Sequence, residues 1–270
     1  MTPEKPPKPT PQELRVARQR RRTARPRDLA DALGVPEAAL VAAHVGPAIT
    51  RLRPAPGPIF DEVASLGPLM GLTRNAHCVI EHSGRYGAAI DVELDEAAAA
   101  FAFAQIERRK ASVQLYDAAG DAVHKIHFDD VPAGFSGLVD ALRHDDQADE
   151  LALAPRQAVL ALVPPPAARA LPPAFATPLL ERLAASGLPV GITVANAATR
   201  QRYHGAVANV VATGPWINVL DPGFNLHLRE DRIAHAWQAG DTVTAVAEDG
   251  SPVVAFTLPQ DLDLGAAAAG

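Results

Sequence analysis

Nine histidines and two closely spaced arginines are the residues of this chain best suited to bind a metal or an acidic ligand. Histidine is the commonest metal ligand among the side chains. Arg200 and Arg202 are two positions apart on a predicted strand, so they would share a face and could bind carboxylates. A solvated strand edge is the competing explanation for this pair. His124 and His127, three apart on another predicted strand, point to opposite faces and cannot clamp one metal together.

The remaining histidines mostly have structural explanations. His227 alternates with Leu226 and Leu228, which indicates a place on the strand face opposite those leucines. His144 precedes two aspartates at the end of a predicted helix, where it either balances the helix dipole or serves as a ligand. The sequence contains no His-x-x-x-His helix, Gly-rich phosphate loop or nucleophile elbow, so no motif supports a zinc hydrolase or a nucleotide-dependent enzyme.

The composition predicts an ordinary globular protein of the cytoplasm. With 48% hydrophobic residues, the 270-residue chain can bury a sizeable core. The net charge of -6 argues against binding nucleic acid by bulk electrostatics. Cys78 is the only cysteine, so no intramolecular disulfide can form and a reducing compartment is predicted. The sequence shows no secretory signal pattern and no apolar run of about 18 to 20 residues, so we expect no membrane insertion.

Breaker residues divide the chain into four predicted segments. Residues 1–12 predict a disordered tail, 13–147 an N-terminal repeat with a helical lead-in, 148–176 a Pro- and Ala-rich linker, and 177–270 a C-terminal repeat. The lead-in contains two short predicted helices on either side of Gly34. They form either a structural helical hairpin or a helix-turn-helix that reads DNA.

Two sequence similarities recur in the same order along the chain. Asn75 and Gly84 flank a strand-like run, and Asn196 and Gly205 flank another one 121 residues later. A hairpin signal around Gly120 recurs 130 residues later. Since the two offsets are nearly equal, the sequence predicts two copies of one α+β unit.

A long block in the C-terminal half resembles a known protein family. Residues 214–231, followed by Ile233, Ala234 and Trp237, are similar to the signature block of the hemin-degrading and hemin-transport proteins of Gram-negative bacteria. A shorter stretch, Leu72–Asn75 followed by Glu81 and Gly84, resembles the block in the first repeat of those proteins. The resemblance implies an α+β fold of two tandem repeats, each a large antiparallel sheet with flanking helices. It also implies heme in a cleft beside the second repeat.

Departures from the family pattern decide which residues to consider as heme ligands. Heme-degrading members carry an iron-ligating histidine on a helix between the repeats, whereas this chain has no histidine from Asp145 to Tyr203. The distal arginine of the first repeat is not identifiable, and the basic residues and tyrosine expected in the last strands are replaced. The candidates that remain are His204, His82 and His144 as axial ligands of the heme iron, and Arg200 and Arg202 for the heme propionates.

The resemblance implies a cytoplasmic heme-utilisation protein that binds hemin for trafficking or degradation. Binding or transport is favoured over turnover because the usual axial ligand is missing, and no residue is assigned as catalytic. The alternative is a family member that lost the heme pocket and acts as a regulator or interaction protein. A DNA-binding regulator that uses the N-terminal helices ranks below both. A heme-delivery or heme-oxygenase partner and a homodimer are compatible with the sequence, whereas nucleic acid and membrane are not expected partners.

Overall fold

Antiparallel sheets make up most of this chain, with short helices before and between the strands. The computed structural model describes residues 8–159, 161–260 and 262. Contacts group them into two units: unit 1 is the chain up to Leu66 together with Glu96–Gln157, and unit 2 is Gly67–Asp95 together with the chain from Ala158 onward. Unit 2 therefore includes a segment of the N-terminal half. The segment bounds predicted from the sequence divide the chain into consecutive repeats, which these contact units do not test. Those bounds therefore stay a prediction.

The described residues form six α-helices and sixteen strands, numbered here in chain order. The helices are α1 Pro11–Arg20, α2 Pro26–Leu33, α3 Glu37–Ala42, α4 Pro56–Ser65, α5 Phe135–Leu142 and α6 Ala176–Ser186. The strands of the first half are β1 Ile49–Leu52, β2 Leu69–Arg74, β3 Cys78–Gly84, β4 Asp91–Leu94, β5 Phe101–Glu107, β6 Lys110–Tyr116 and β7 Ala122–Phe128. Those of the second half are β8 Arg169–Leu171, β9 Val190–Ala195, β10 Thr199–Gly205, β11 Val210–Thr213, β12 Trp216–Asp221, β13 Phe224–Arg229, β14 His235–Ala239, β15 Thr242–Val246 and β16 Pro252–Thr257.

The first helix begins inside the segment predicted to be a disordered tail. The Thr10 hydroxyl accepts a hydrogen bond from the Glu13 N–H, and the Glu13 carboxylate accepts one from the Thr10 N–H at 2.8 Å. This capping box satisfies two backbone donors at the helix start, and Pro11 suits the first turn. The helix therefore starts at Pro11 rather than near Glu13. Residues 1–7 of the predicted tail lie outside the described residues.

The helical lead-in packs on itself. α2 ends at Gly34, whose φ of 66° is in the left-handed region that glycine adopts without strain. Leu14 of α1, Leu29 of α2 and Leu40 of α3 are buried together in one apolar cluster. The apolar sides of the two predicted helices thus face each other, as the structural helical hairpin requires.

Unit 1 contains an antiparallel sheet with the strand order β1-β5-β6-β7. One face of β7 contacts the helices: His124 meets Phe60 of α4, with ring centroids 5.8 Å apart, and Phe128 meets Phe135 of α5 at 6.0 Å. The other face contacts α3, where Phe103 and Tyr116 join a buried cluster with alanine and valine side chains. Both faces of this sheet therefore carry packed helices.

Unit 2 contains two antiparallel groups of strands. One has the order β2-β3-β13-β12-β11, and the other is a seven-stranded sheet with the order β4-β10-β9-β16-β15-β14-β8. The apolar residues of β9, β13, β15 and β16 pack with α6 in one large core. The signature block supplies β12 and β13, and Leu226 and Leu228 are fully buried while His227 lies on the opposite face. This agrees with the structural role predicted for His227.

The strand pairing confirms the two repeats. In the β2–β3 hairpin Leu69 pairs with Gly84, and in the β9–β10 hairpin Val190 pairs with Gly205, each position shifted by 121 residues. The β6–β7 and β15–β16 hairpins share a bulge at the end of the first strand and a turn glycine with positive φ, shifted by 130 residues. The fold is therefore α+β with a duplicated unit of antiparallel strands, as the sequence predicts.

Asn75 and Asn196 hold the two related hairpins of unit 2 together. Each side-chain oxygen accepts hydrogen bonds from the backbone N–H groups two and three residues later, which forms the hairpin turn. Each side-chain nitrogen reaches across to the other hairpin: Asn75 donates to the Ala195 carbonyl at 3.1 Å, and Asn196 donates to the Arg74 carbonyl at 3.0 Å. This exchange fixes the position of β10 relative to the rest of unit 2.

Candidate functional site

Small side chains cover the outer face of the seven-stranded sheet. Cross-strand pairing aligns Thr193 with Ala255 and Ala255 with Thr244. Neighbouring positions that alternate with these are fully buried, including Ile192 and Phe256. The face itself is at least partly exposed and consists of Gly191, Thr193 and Ala195 of β9, Thr242 and Thr244 of β15, and Ala255 and Thr257 of β16. We call these seven residues the small-residue face.

Strand alternation explains why this face is flat. In β9 the sequence Val-Gly-Ile-Thr-Val-Ala places its branched apolar residues toward the core and its small residues outward. Gly191 is required because a Cβ there would lie 2.9 Å from the Cβ of Thr257. Trp237 of β14 pairs with Thr244 and borders the face on one side, where it is 6% exposed. The result is a shallow platform without large side chains.

Three residues of β10 form the opposite border of the small-residue face. Arg200, Arg202 and His204 alternate along the strand, so they share its outer side, and they pair with Ala195, Thr193 and Gly191 of the face. Arg200 and His204 are exposed and Arg202 is half-buried. An open groove of about 330 Å³ adjoins this border and is lined by Glu93–Asp95 and Ala195–Arg200. The structure thus brings together three of the five predicted site residues.

Two carboxylates of β4 already bind the arginines. β4 pairs with β10 so that Glu93 lies opposite Arg200 and Asp91 opposite Arg202. Arg202 lies 2.9 Å from Glu93 and 3.5 Å from Asp91, while Arg200 lies 3.6 Å from Glu93. The hydrogen bond and charge of Arg202 lower the pKa of Glu93 below its usual value. An acidic ligand that binds these guanidinium groups must therefore compete with Asp91 and Glu93.

His82 lies on the inner side of its strand, apart from the β10 border. It pairs with Phe224 in the β3–β13 ladder, and its ring contacts Tyr203 with centroids 5.3 Å apart. Burial lowers its pKa, so the imidazole is neutral at pH 7. Its Nδ1 atom is buried and makes no hydrogen bond with any described residue. The 121-residue repeat makes Tyr203, rather than His204, the counterpart of His82.

His144 lies in unit 1, directly after α5. Its Nδ1 atom accepts a hydrogen bond from the Asp146 backbone N–H at 2.9 Å, and the His144 backbone N–H donates to the Arg51 carbonyl at 3.0 Å. These bonds fix the turn that follows the helix and occupy Nδ1, so only Nε2 could bind a metal. The local geometry favours a structural role for this residue.

His124 and His127 lie on opposite faces of β7, as strand alternation predicts, since they pair with Leu115 and Ser112 of β6. His124 is 1% exposed, and burial lowers its pKa to about 3. Burial and the charge of Lys125 lower the pKa of His127 to about 4. Both rings are therefore neutral at physiological pH. Among the described residues, no group of three or more His, Cys, Asp or Glu side chains is arranged to hold a metal ion.

Comparison with known proteins identifies the family. A model of the haemin-degrading HemS.ChuX domain matches residues 154–257, and a model of the haem utilisation ChuX/HutX family matches residues 50–134. The structure of apo-PhuS, a heme-binding protein from Pseudomonas aeruginosa, has 31% sequence identity and a TM-score of 0.84, covering 93% of this chain and 94% of that one. This chain belongs to the HemS/ChuX heme-utilisation family. The resemblance inferred from the signature block is confirmed.

Further members of the HemS/ChuX family agree with this assignment. The hemin transport proteins HmuS of Yersinia pestis and HemS of Yersinia enterocolitica are each 26% identical, and each match covers 78% of this chain and of the relative. The heme-degrading enzyme ChuS of Escherichia coli has a TM-score of 0.78 over 92% of both chains at 22% identity, a likeness that concerns the fold. No helix among the described residues combines the length and hydropathy needed to cross a membrane.

The small-residue face and the acidic residues of β4 are the parts of the site that the sequence analysis missed. The alternation of small and branched residues in β9 is visible in the sequence and could have indicated the face. Asp91 and Glu93 gave no such signal, because their pairing with β10 joins segments 109 residues apart. Which of the five predicted site residues bind heme stays a prediction.

Proposed function

We propose that this protein binds hemin as cargo, with the macrocycle lying against the small-residue face of the seven-stranded sheet. The observation that carries the proposal is the 31% identity with a heme-binding protein over 93% of the chain. The two hemin transport proteins among its relatives support the same function. A flat, apolar ring needs a flat surface, and Gly191, Thr193 and Ala255 leave one without projecting side chains.

The residues around this face suit the chemical groups of heme. Arg200 and Arg202 present guanidinium groups, which pair with carboxylates such as the two propionates. His204 shares their side of β10 and is exposed, so its imidazole would be available to bind the heme iron. The residues present therefore fit a heme ligand, with His204 the favoured axial donor.

The proposal assigns trafficking rather than degradation. Oxygen activation by heme depends strongly on the proximal ligand and on the polarity of the distal side. The segment between Asp145 and Tyr203 contains no histidine, and α6 within it presents leucines to the core. We therefore assign no catalytic residue. The protein would hold hemin in the cytoplasm and pass it to a heme-degrading or heme-accepting partner.

A regulator without heme is the second candidate. Two observations favour it: the missing histidine and the ion pairs that Asp91 and Glu93 form with both arginines. In this case the chain would keep the family fold and bind a protein partner instead. Hemin titration separates the two candidates because the second predicts no saturable site.

The experiment is a titration of the purified protein with hemin, followed at the Soret band. We expect saturable one-to-one binding that His204→Ala weakens and shifts spectrally, because the axial donor is lost. His82→Ala and His144→Ala test the other two predicted ligands. His44→Ala, at a half-buried histidine of unit 1, is the control and should bind as the unmodified protein does. Absence of saturable binding at micromolar hemin would transfer the assignment to the regulator.

A further inference from the structure

The strand β11 lies at the end of its sheet and lacks the charged residues and proline that often protect such an edge. Exposed edges are commonly blunted by charged residues or proline. The terminal strand β4 carries Asp91 and Glu93, and the terminal strand β8 begins at Arg169 and is followed by Pro172. β11 has the sequence Val-Val-Ala-Thr, which contains neither a charge nor a proline. Among the described residues, nothing in the strand itself opposes pairing with another strand at this edge.

The backbone of β11 directs N–H and C=O groups toward that edge, where no strand among the described residues pairs with them. The Asn209 carbonyl accepts a hydrogen bond from the Leu220 N–H at 2.9 Å, so Asn209 faces β12. In an antiparallel ladder, successive residues direct their N–H and C=O groups to alternate sides. Val210 and Ala212 therefore point theirs away from β12. These groups match the donor and acceptor pattern of an added antiparallel strand.

A partly apolar surface lies beside β11, and the nearest carboxylate, Asp221, is bonded to Ala208 and Asn209 just before the strand. Val211 is 42% exposed and Leu220 is 45% exposed. They lie on the same side of the sheet, since Val211 pairs with Asn218 and Leu220 follows Asn218 by two positions. Residues 205–220 include no charged side chain, in a chain whose net charge is -6. Two copies of such a chain carry the same net charge, and a contact through a segment without charged side chains adds no direct charge repulsion.

We propose that β11 pairs antiparallel with β11 of a second copy of this chain, which joins the two sheets edge to edge. Pairing about a two-fold axis places Val210 of one copy opposite Ala212 of the other, so the outward N–H and C=O groups of both copies bond. The axis stands perpendicular to the sheet, and it brings the Val211 and Leu220 surfaces of both copies together on one side. The strand is short, so the dimer is weak and depends on concentration. This interface is independent of heme binding.

Sedimentation analysis over a range of protein concentrations tests the interface. Ala212→Pro removes an outward N–H donor that the monomer leaves in solvent, so it should weaken the dimer without unfolding the strand. Val211→Lys places a charge at the edge and provides a second, chemically different variant. Val131→Lys adds the same charge at a valine that is 40% exposed in unit 1, and it serves as the matched control.

We expect the average mass of the unmodified protein and of Val131→Lys to rise toward the dimer with concentration. Ala212→Pro and Val211→Lys should raise the dissociation constant at least about ten-fold. Hydrogen exchange should show that the Val210 and Ala212 amides become protected as the dimer forms. A protein that stays monomeric at every concentration, or a dimer that persists in Val211→Lys with these two amides unprotected, overturns the proposal. Thermal unfolding of each variant checks that the fold is intact.

Discussion

Replacing the carboxylates of β4 should tighten hemin binding, which is the opposite of the usual effect of a substitution near a binding site. Glu93 forms ion pairs with Arg202 at 2.9 Å and with Arg200 at 3.6 Å, whereas Asp91 forms one, with Arg202 at 3.5 Å. A propionate that binds these arginines must displace the carboxylates and also experiences their negative charge. Glu93→Gln and Asp91→Asn remove both obstacles while keeping the size of the side chain.

The magnitude follows from the exposure of these groups. The side chains of Glu93 and Asp91 are 61% and 59% exposed, so solvent screens each ion pair strongly. Breaking one exposed pair changes an equilibrium by up to roughly five-fold. Glu93→Gln releases two pairs and should tighten hemin binding by about three- to ten-fold. Asp91→Asn releases one pair and should have a smaller effect in the same direction.

Hemin titration at the Soret band measures the effect, with Asp140→Asn as the control. Asp140 is exposed on α5, so this control changes the net charge equally without touching an arginine. Raising the salt concentration should reduce the gain from Glu93→Gln, because screening weakens the interactions involved. The reasoning is refuted if Glu93→Gln binds hemin no more tightly than the control, or if the gain persists after both Arg200 and Arg202 are changed to Gln.

Three further outcomes test the fold around the site. His124 and His127 both have lowered pKa values, so the unfolded chain binds two protons that the folded chain does not bind. The free energy of unfolding should fall below pH 6.5 by up to about 1.4 kcal/mol per pH unit for each histidine, and His124→Asn should roughly halve the slope in thermal scans. Asn75→Ala removes a side chain that bonds four backbone groups, so it should lower the free energy of unfolding in urea by about 2–4 kcal/mol. Asn225→Ala is the control, because it loses one hydrogen bond to Glu81 and should lower that free energy by less than about 1 kcal/mol. Gly191→Ala should destabilise the protein by about 1–3 kcal/mol, because its new Cβ would lie 2.9 Å from the Cβ of Thr257. Thr257→Gly removes that Cβ and should restore part of the loss, whereas Thr257→Ala keeps it and should not. An unchanged unfolding curve for Gly191→Ala would contradict this contact.

The repeats could be predicted from the sequence because their marks are local. Asn75 and Asn196 each form a turn with the residues that follow directly, and the same residue type recurs at the same place in both hairpins. The turn glycine of the later hairpin adopts positive φ in both copies, which few other residues tolerate. Strand alternation likewise placed Arg200 and Arg202 on one face, since that inference needs only the spacing along β10.

The contacts of the candidate site could not be predicted because they join distant segments. Nothing near Glu93 in the sequence indicates that β4 pairs with β10. Register matters in the same way, because a shift of one position on a strand moves a side chain to the other face. The register makes Tyr203 the counterpart of His82, which it contacts on the core side while His204 faces outward.

The most direct test of hemin binding at the small-residue face is a titration of Ala255→Trp. Ala255 lies between Thr193 and Thr244 in the middle of this face, and an indole there would fill the space assigned to the macrocycle while leaving the core unchanged. Val131→Trp, at an exposed position of unit 1, is the control. We predict that Ala255→Trp weakens hemin binding at least about ten-fold and that the control binds normally. Equal affinity in the two variants would contradict the proposed site.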